Sequence, residues 1–218
     1  MPSFIKKIVR VLFPKSLRES IGPYLPRFYK VNTYLKSGLN KELPLPEIDT
    51  RYEVREVGVK DIPALKEAHL TRGRNIYELK VPPRLKSPDW VGLSVFDKRN
   101  GRIAYIAWVV TNSIPYIEEF GLKLKSNQFL VKDGYCVPEY RHQGLHTRME
   151  IERLNYCFRN DATEVFIQIH DANKGGVKSV LGNGYTFYQS DLVIAIGGLN
   201  IYRPIFAFLK NPFKKIVK

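Results

Sequence analysis

Asp133-Gly-Tyr-Cys-Val-Pro-Glu-Tyr-Arg-His-Gln-Gly-Leu-His-Thr-Arg148 is the stretch that decides the fold. The apolar run Phe129 to Val137 reads as a strand, and Pro138-Glu-Tyr-Arg141 reads as a turn. Leu145 to Phe158 reads as a helix, with Leu145, Met149, Ile151, Leu154 and Phe158 as its apolar members. Gly144 stands between the turn and the helix. The first N–H groups of a helix lack an intrahelical acceptor and carry the positive end of its dipole, and a glycine lets the backbone approach a ligand closely. Strand, glycine loop and helix start together form a cradle for a phosphate-like anion.

Outward from this loop the pattern alternates between strands and helices. Tyr52 to Val57 has period two and reads as a strand. Asp61 is a candidate N-cap with Pro63 in the first turn, opening a helix to about Arg72. Residues 72–89, with Pro82, Pro83 and Pro88, read as a basic, turn-prone connection. Trp90 to Phe96 and Arg102 to Thr111 are strands joined through the turn signal Asn100-Gly101. Residues 112–128 are less regular. Thr163 to His170 is a strand, Lys174 to Leu181 a short helix closed by Gly182-Asn-Gly184, and Tyr185 to Ile196 a further strand. The prolines of residues 14–50 (14, 23, 26, 44 and 46) point to an irregular, extended segment. The expected organisation is an N-terminal extension over 1–49, a central domain over 50–196 and a C-terminal tail over 197–218.

Charge is spread unevenly over the 218 residues, whose net charge is +14. Residues 1–45 carry nine Lys/Arg against two Glu, and residues 197–218 carry five Lys/Arg and no acid. The remainder is close to neutral, which argues against a nucleic-acid partner, whose binding cleft would hold the positive charge. Residues 3–13 place Phe4, Ile5, Ile8, Val11 and Leu12 at helical spacing with Lys6, Lys7 and Arg10 between them, and 205–218 mix apolar residues and lysines in the same way. Such segments suit an anionic membrane surface, or equally a face docked on the protein's own core. A signal peptide is a poor reading of the N-terminus, since Arg10 and Pro14 interrupt the apolar run. Leu192 to Leu209 approaches the length of a membrane span, but Gly197-Gly198, Asn200, Arg203 and Pro204 break it. Two cysteines, Cys136 and Cys157, make a disulfide framework unexpected, and no Cys/His spacing fits zinc. A cytoplasmic protein, peripheral on the inner membrane face, is the expectation.

The motif Arg141-His142-Gln143-Gly144-Leu145-His146, preceded by Val137-Pro138-Glu139-Tyr140, resembles the acyl-CoA loop of the GNAT N-acetyltransferase superfamily. Asn173 followed at eleven and twelve residues by Gly184-Tyr185 resembles that superfamily's second signature. The resemblance covers roughly residues 50–196. It implies an α/β fold with a mixed, splayed, mostly antiparallel sheet flanked by helices, and transfer of an acetyl group from acetyl-CoA to a primary amine. The pantetheine arm would pair with backbone near Cys136 and Val137. The pyrophosphate would sit on N–H groups of Gln143, Gly144, Leu145, His146 and Thr147, with Arg141 and His142 beside it and Asn173 contributing to the cofactor site. Two positions depart from the pattern. His146 replaces a small residue, which is tolerable where its side chain packs away from the phosphates, and Val180 stands where many members carry an acidic tyrosine, with Ser179 its neighbour.

Candidate catalytic groups are Asp133 on the strand before the loop, His170 at the end of the next strand, and Ser179 as a stand-in acid. A carboxylate or imidazole there accepts the amine proton. Each also has a plain reading: Asp133 pairs with a nearby lysine, and His170 is a hydrogen-bonded strand-end residue. Glu118 and Glu119 suit a cationic acceptor or are surface charge, and Cys136 is a small core residue without a nucleophile's partners. Amino sugars and lipid-linked surface precursors are the acceptors this reading favours. A non-catalytic domain that binds acyl-CoA or a partner protein is the alternative.

Overall fold

β-branched and aromatic residues build the strands, in near-continuous apolar runs where both faces are covered. The computed structural model describes residues 27–72, 76–111, 122, 124–196 and 199–204. Residues 3–13, 205–218, Glu118 and Glu119 lie outside the described residues. In chain order the elements are β1 (Arg27–Ser37), β2 (Tyr52–Glu56), α1 (Ile62–Leu70), α2 (Ile76–Lys86), β3 (Trp90–Asp97), β4 (Arg102–Val110), β5 (Gln128–Cys136), α3 (Leu145–Arg159), β6 (Glu164–His170), α4 (Lys174–Gly182), β7 (Thr186–Ile196) and β8 (Leu199–Pro204).

Two compact units emerge. Among the described residues, one comprises 36–72, 76–111 and 124–167, the other 27–35, 122, 168–196 and 199–204. In the first, strands run in the order β2-β3-β4-β5-β6, antiparallel except for the parallel pair β5–β6. β3 and β4 are buried along almost their whole length, so both faces of this part of the sheet are covered. Val95, Ile106, Val109, Val110, Val131 and Val165 form its floor, with Trp108 and Met149 as large, fully buried side chains. Truncating a residue like Trp108 to alanine would cost about 3–5 kcal/mol.

Two segments differ from the sequence reading here. The connection expected over residues 72–89 contains α2, with Pro82 and Pro83 inside it. Val81 and Arg84 are buried, so tertiary packing of that face outweighs the local penalty of the prolines. The extension expected to be irregular contains β1 in the second unit, paired antiparallel with β7 from Arg27↔Ala195 to Leu35↔Thr186. Its prolines flank the run 27–37 and leave its N–H groups free to donate. Within the apolar window 192–209, residues 192–196 and 199–204 are strand, because β7 and β8 pair from Asp191↔Pro204 to Ile196↔Leu199. No helix among the described residues is long and apolar enough to cross a membrane.

In the second unit β1 also meets the end of β6: Asp171 N–H donates to Lys30 O at 2.9 Å and Gln168 Nε2 to Thr33 Oγ1 at 3.2 Å. The mixed, mostly antiparallel sheet with flanking helices is the fold class the sequence implies.

Candidate functional site

The central feature is a β-bulge. β4 and β5 pair as Tyr105↔Cys136 and Ile106↔Tyr135, then shift so that Trp108 faces Lys132. Asp133 and Gly134 thus stand together opposite Ala107, and Asp133 takes a left-handed backbone, φ 49°. Pairing of β5 with β6 covers only Gln128↔Glu164 to Val131↔Ile167. Past the bulge, β5 keeps its partner on the β4 side, while the edge from Lys132 to Cys136 has no ladder to β6. Among the described residues no neighbouring strand takes up that edge, so it is a place where an extended ligand could add as a strand.

β5 feeds the loop through a 3₁₀ turn, Pro138–Tyr140. His142 (φ 61°) and Gly144 (φ 75°) are both left-handed, and alternation of this kind turns successive N–H groups to one side. Helix α3 starts directly after Gly144 with no side-chain cap. Arg148 N–H donates to Gly144 O at 3.1 Å. Ahead of it, among the described residues, the N–H groups of Gln143, Gly144, Leu145 and Thr147 meet no backbone acceptor. A Cβ on Gly144 would meet nothing within 4 Å, so the space in front of the loop is open. This is the donor set an anion needs.

Side chains fix the loop. Gln143 Oε1 accepts from both Arg51 Nη2 and the Tyr52 hydroxyl, and its Nε2 donates to Glu139 O at 3.4 Å, tying the loop to β2. Arg102 bridges Glu139 (2.8 Å) and Glu67 (2.7 Å). Arg141 is exposed and donates from Nε to Cys136 O at 3.4 Å. His146 turns its ring onto Tyr105, with Nδ1 at 2.9 Å from the hydroxyl and ring centres 5.9 Å apart. The imidazole thus contacts β4 while its side chain stays 52% exposed, with Nε2 4.0 Å from Glu150 on α3.

Tyr105 is almost wholly buried, and burial raises its hydroxyl pKa well above the ordinary value, so it stays protonated. A Cβ on Gly134 would come within 2.5 Å of the Tyr105 hydroxyl, so the second bulge residue must be glycine for this tyrosine to fit. Below it, Glu150 and Arg153 form a buried ion pair on α3.

Val137 departs from the expected pantetheine contact. Its N–H donates to Ala104 O at 3.0 Å and its carbonyl accepts from Tyr140 N–H at 3.0 Å, so both backbone groups are engaged. The edge open for pairing is displaced toward residues 132–136. Cys136 is half-buried, and burial raises its thiol pKa, as suits a packing residue.

Asp133 is surrounded by cations. Its Oδ2 accepts from Arg84 Nη2 (2.5 Å) and Lys80 Nζ (3.3 Å), and Arg72 Nη2 lies 3.7 Å from Oδ1. Burial alone would raise its pKa. The guanidinium of Arg84 and the ammoniums of Lys80 and Lys132 overcome this and hold the carboxyl well below the usual range. A carboxylate held this low is a feeble proton acceptor and a strong anchor. Arg84 in turn stacks over Trp90 at 4.1 Å and Trp108 at 5.2 Å.

The other expected residues lie in the second unit. His170 is exposed and stacks on Tyr29 at 5.1 Å, and its Nδ1 accepts from Ala172 N–H at 3.1 Å. Asn173 caps α4, its Oδ1 accepting from Gly176 N–H at 3.0 Å. Ser179 lies in the last turn of α4 with its carbonyl accepting from Asn183 N–H at 3.0 Å. Among the described residues no group of three His, Cys, Asp or Glu could hold a metal ion. Sequence reasoning passed over Tyr105, the Gln143 tether to Arg51 and Tyr52, and the cations Arg72, Lys80 and Arg84. Tyr105 sits in a strand run that reads as plain core, and the cations sit in a segment read as connector.

No protein-family model matches the sequence, and no curated protein matches it significantly. Solved structures do. A GCN5-related N-acetyltransferase from Sphaerobacter thermophilus superposes with TM-score 0.57 at 16% identity, over 86% of this chain and 58% of that one. One from Kribbella flavida gives TM-score 0.51 at 14% identity, over 83% and 63%. A tandem GNAT protein from the clavulanic acid biosynthesis pathway, solved without acetyl-CoA, gives 0.58 at 14%, over 85% and 59%. This chain spans less than two thirds of the length of each. The fold is that of the GNAT N-acetyltransferases, as the loop motif implies.

Proposed function

We propose that the protein is an acetyl-CoA-dependent N-acyltransferase acting on a primary amine. The observation that carries this reading is the bulged β5, whose residues 132–136 have no ladder to β6, running directly into an uncapped, left-handed loop and the start of α3. An acyl-CoA fits these residues at both ends. The loop N–H groups of Gln143, Gly144, Leu145, His146 and Thr147 would hold the pyrophosphate, with Arg141 and His142 adding charge from its rim, and the backbone of Lys132 to Cys136 would pair with the pantetheine amides. Bound acetyl-CoA supplies an electrophilic thioester carbonyl. The protein's part is to align an amine with that carbon: a C–N bond forms, the C–S bond breaks, the amine proton passes to solvent and the departing sulfur takes up a proton. Asp133 organises the bulge and its cations and does not act as the base. Asn173 supports the fold through the α4 cap.

The test is release of free thiol from acetyl-CoA with a panel of primary amines. Amine-dependent release supports the reading, and tight CoA binding without release by any amine supports a binding domain instead. Val180 in place of an acidic tyrosine, and Asp133 held by cations, are the observations that favour that second reading. The basic amphipathic stretches 3–13 and 205–218 suggest that the enzyme works against an anionic bilayer and on a membrane-linked or amino-sugar acceptor. Co-sedimentation with anionic vesicles, lost on removing both stretches, tests that part. Full solubility of both forms contradicts it.

A further inference from the structure

We propose that the acceptor amine also carries an anionic group, a phosphate or a carboxylate, bound by Arg72 and Lys80 beside the bulge of β5. The inference rests on the N-acyltransferase reading and names the class of its second substrate. Around Asp133 one carboxylate is shared by three cations. Arg84 is the closest, is buried, and is stacked over two tryptophans, so it completes the core. Lys80 reaches the same oxygen at 3.3 Å, and Arg72 stands 3.7 Å from the other, beyond a good hydrogen bond. Both reach solvent, their side chains being 21% (Arg72) and 43% (Lys80) exposed, and among the described residues Asp133 is the only carboxylate they share. The Arg72 guanidinium lies 5.1 Å over the Tyr135 ring, whose hydroxyl is held by Thr71 Oγ1 at 2.8 Å, so its fork is already oriented.

The placement matters. Asp133 and Tyr135 belong to the stretch of β5 beyond its ladder to β6 that is assigned to the pantetheine arm, so these cations border the reacting end of the site. A guanidinium beside an ammonium recognises phosphate or carboxylate through charge-assisted, bidentate bonds. The same surplus of positive charge disfavours the protonated form of a neighbouring amine, and attack on the thioester requires the neutral form. An uncharged amine gains nothing from such a site. An anionic one is steered and oriented by it.

Three small acceptors separate the possibilities: O-phosphoethanolamine, β-alanine and ethanolamine, assayed by thiol release from acetyl-CoA. The expected result is at least tenfold higher kcat/KM for one or both anionic amines, the better of the two identifying the anion. The double variant Arg72→Gln/Lys80→Gln brings them down to the ethanolamine level with KM for acetyl-CoA unchanged. Equal rates for all three amines, or a preference that survives in the variant, overturns the proposal. If no amine releases thiol, the acyltransferase reading falls, and the anion site is judged by calorimetric titration of inorganic phosphate into both proteins in the presence of CoA. Heat of binding in the wild type alone upholds the site, and equal heats refute it. Both side chains reach solvent, and far-UV circular dichroism of the variant confirms that it folds.

Discussion

Gly144→Ala, read beside Gly101→Ala, isolates what the loop does from what its backbone costs. Gly144 has φ 75° and Gly101, in the β3–β4 hairpin, φ 70°, and a Cβ on either meets nothing within 4 Å. The two substitutions therefore carry the same local penalty, about 1–2 kcal/mol for an L-residue in the left-handed region. The reduced freedom of the unfolded chain offsets a few tenths of this. Urea denaturation should show both variants destabilised by roughly 1 kcal/mol. Only Gly144 opens onto the proposed phosphate site. A methyl group there, or a relaxed loop, disrupts one charge-assisted bond from N–H to phosphate, about 1.5–3 kcal/mol, so acetyl-CoA affinity should fall roughly ten- to a hundredfold. Isothermal titration of acetyl-CoA measures it. Equal destabilisation with equal CoA binding in the two variants would refute the assignment of the loop.

Further outcomes follow from the same geometry. Asp133→Asn retains a residue tolerant of the left-handed turn and removes only the charge; stability should drop by about 1–3 kcal/mol with kcat changed by less than tenfold, whereas loss of a true base lowers kcat by about 10²–10⁴. Gly134→Ala should destabilise through its clash with the Tyr105 hydroxyl, and adding Tyr105→Phe should recover part of the loss, a coupling visible in a double-mutant cycle of thermal unfolding. Asp97 is held at a pKa of about 2 by hydrogen bonds from the Arg99 guanidinium and backbone. Because its folded value lies below the ordinary 3.8, its stabilisation is present above that pH and is lost as pH falls toward about 2. Asp97→Asn should flatten the stability curve in that window, as followed by circular dichroism. Gln143→Ala releases the loop from Arg51 and Tyr52 and should raise KM for acetyl-CoA several-fold, measured by thiol release, with little change in kcat.

Strand and helix periods made most of the first unit legible. β2, β3, β4, β5 and α3 lie within a residue or two of where the apolar pattern places them, because each buries one clear face or both. α2 was hidden by Pro82 and Pro83, whose local effect is overruled by burial of Val81 and Arg84 from far along the chain. β1 and β8 were hidden because their pairing with β7 is non-local and their surroundings are rich in proline and glycine. The loop was legible since its chemistry is backbone chemistry, signalled by one glycine between a strand and a helix. Its surroundings were not. No spacing in the sequence says that Arg72, Lys80 and Arg84 converge on Asp133, or that Tyr105 meets His146, because α1, α2 and β4 bring them together only in three dimensions. Val137 is a subtler case: the sequence places it correctly at the strand end, but only the hydrogen bonds show that its backbone is already engaged.

The account's central claim is that the β5 edge and the α3 loop together hold acetyl-CoA. Amide NMR of the ¹⁵N-labelled protein titrated with acetyl-CoA tests it most directly. The prediction is saturable shifts concentrated at Gln143, Gly144, Leu145, His146 and Thr147 and along Lys132 to Cys136, with Val137 moved far less than its neighbours. Absence of binding, or saturable binding whose shifts lie elsewhere, would contradict it.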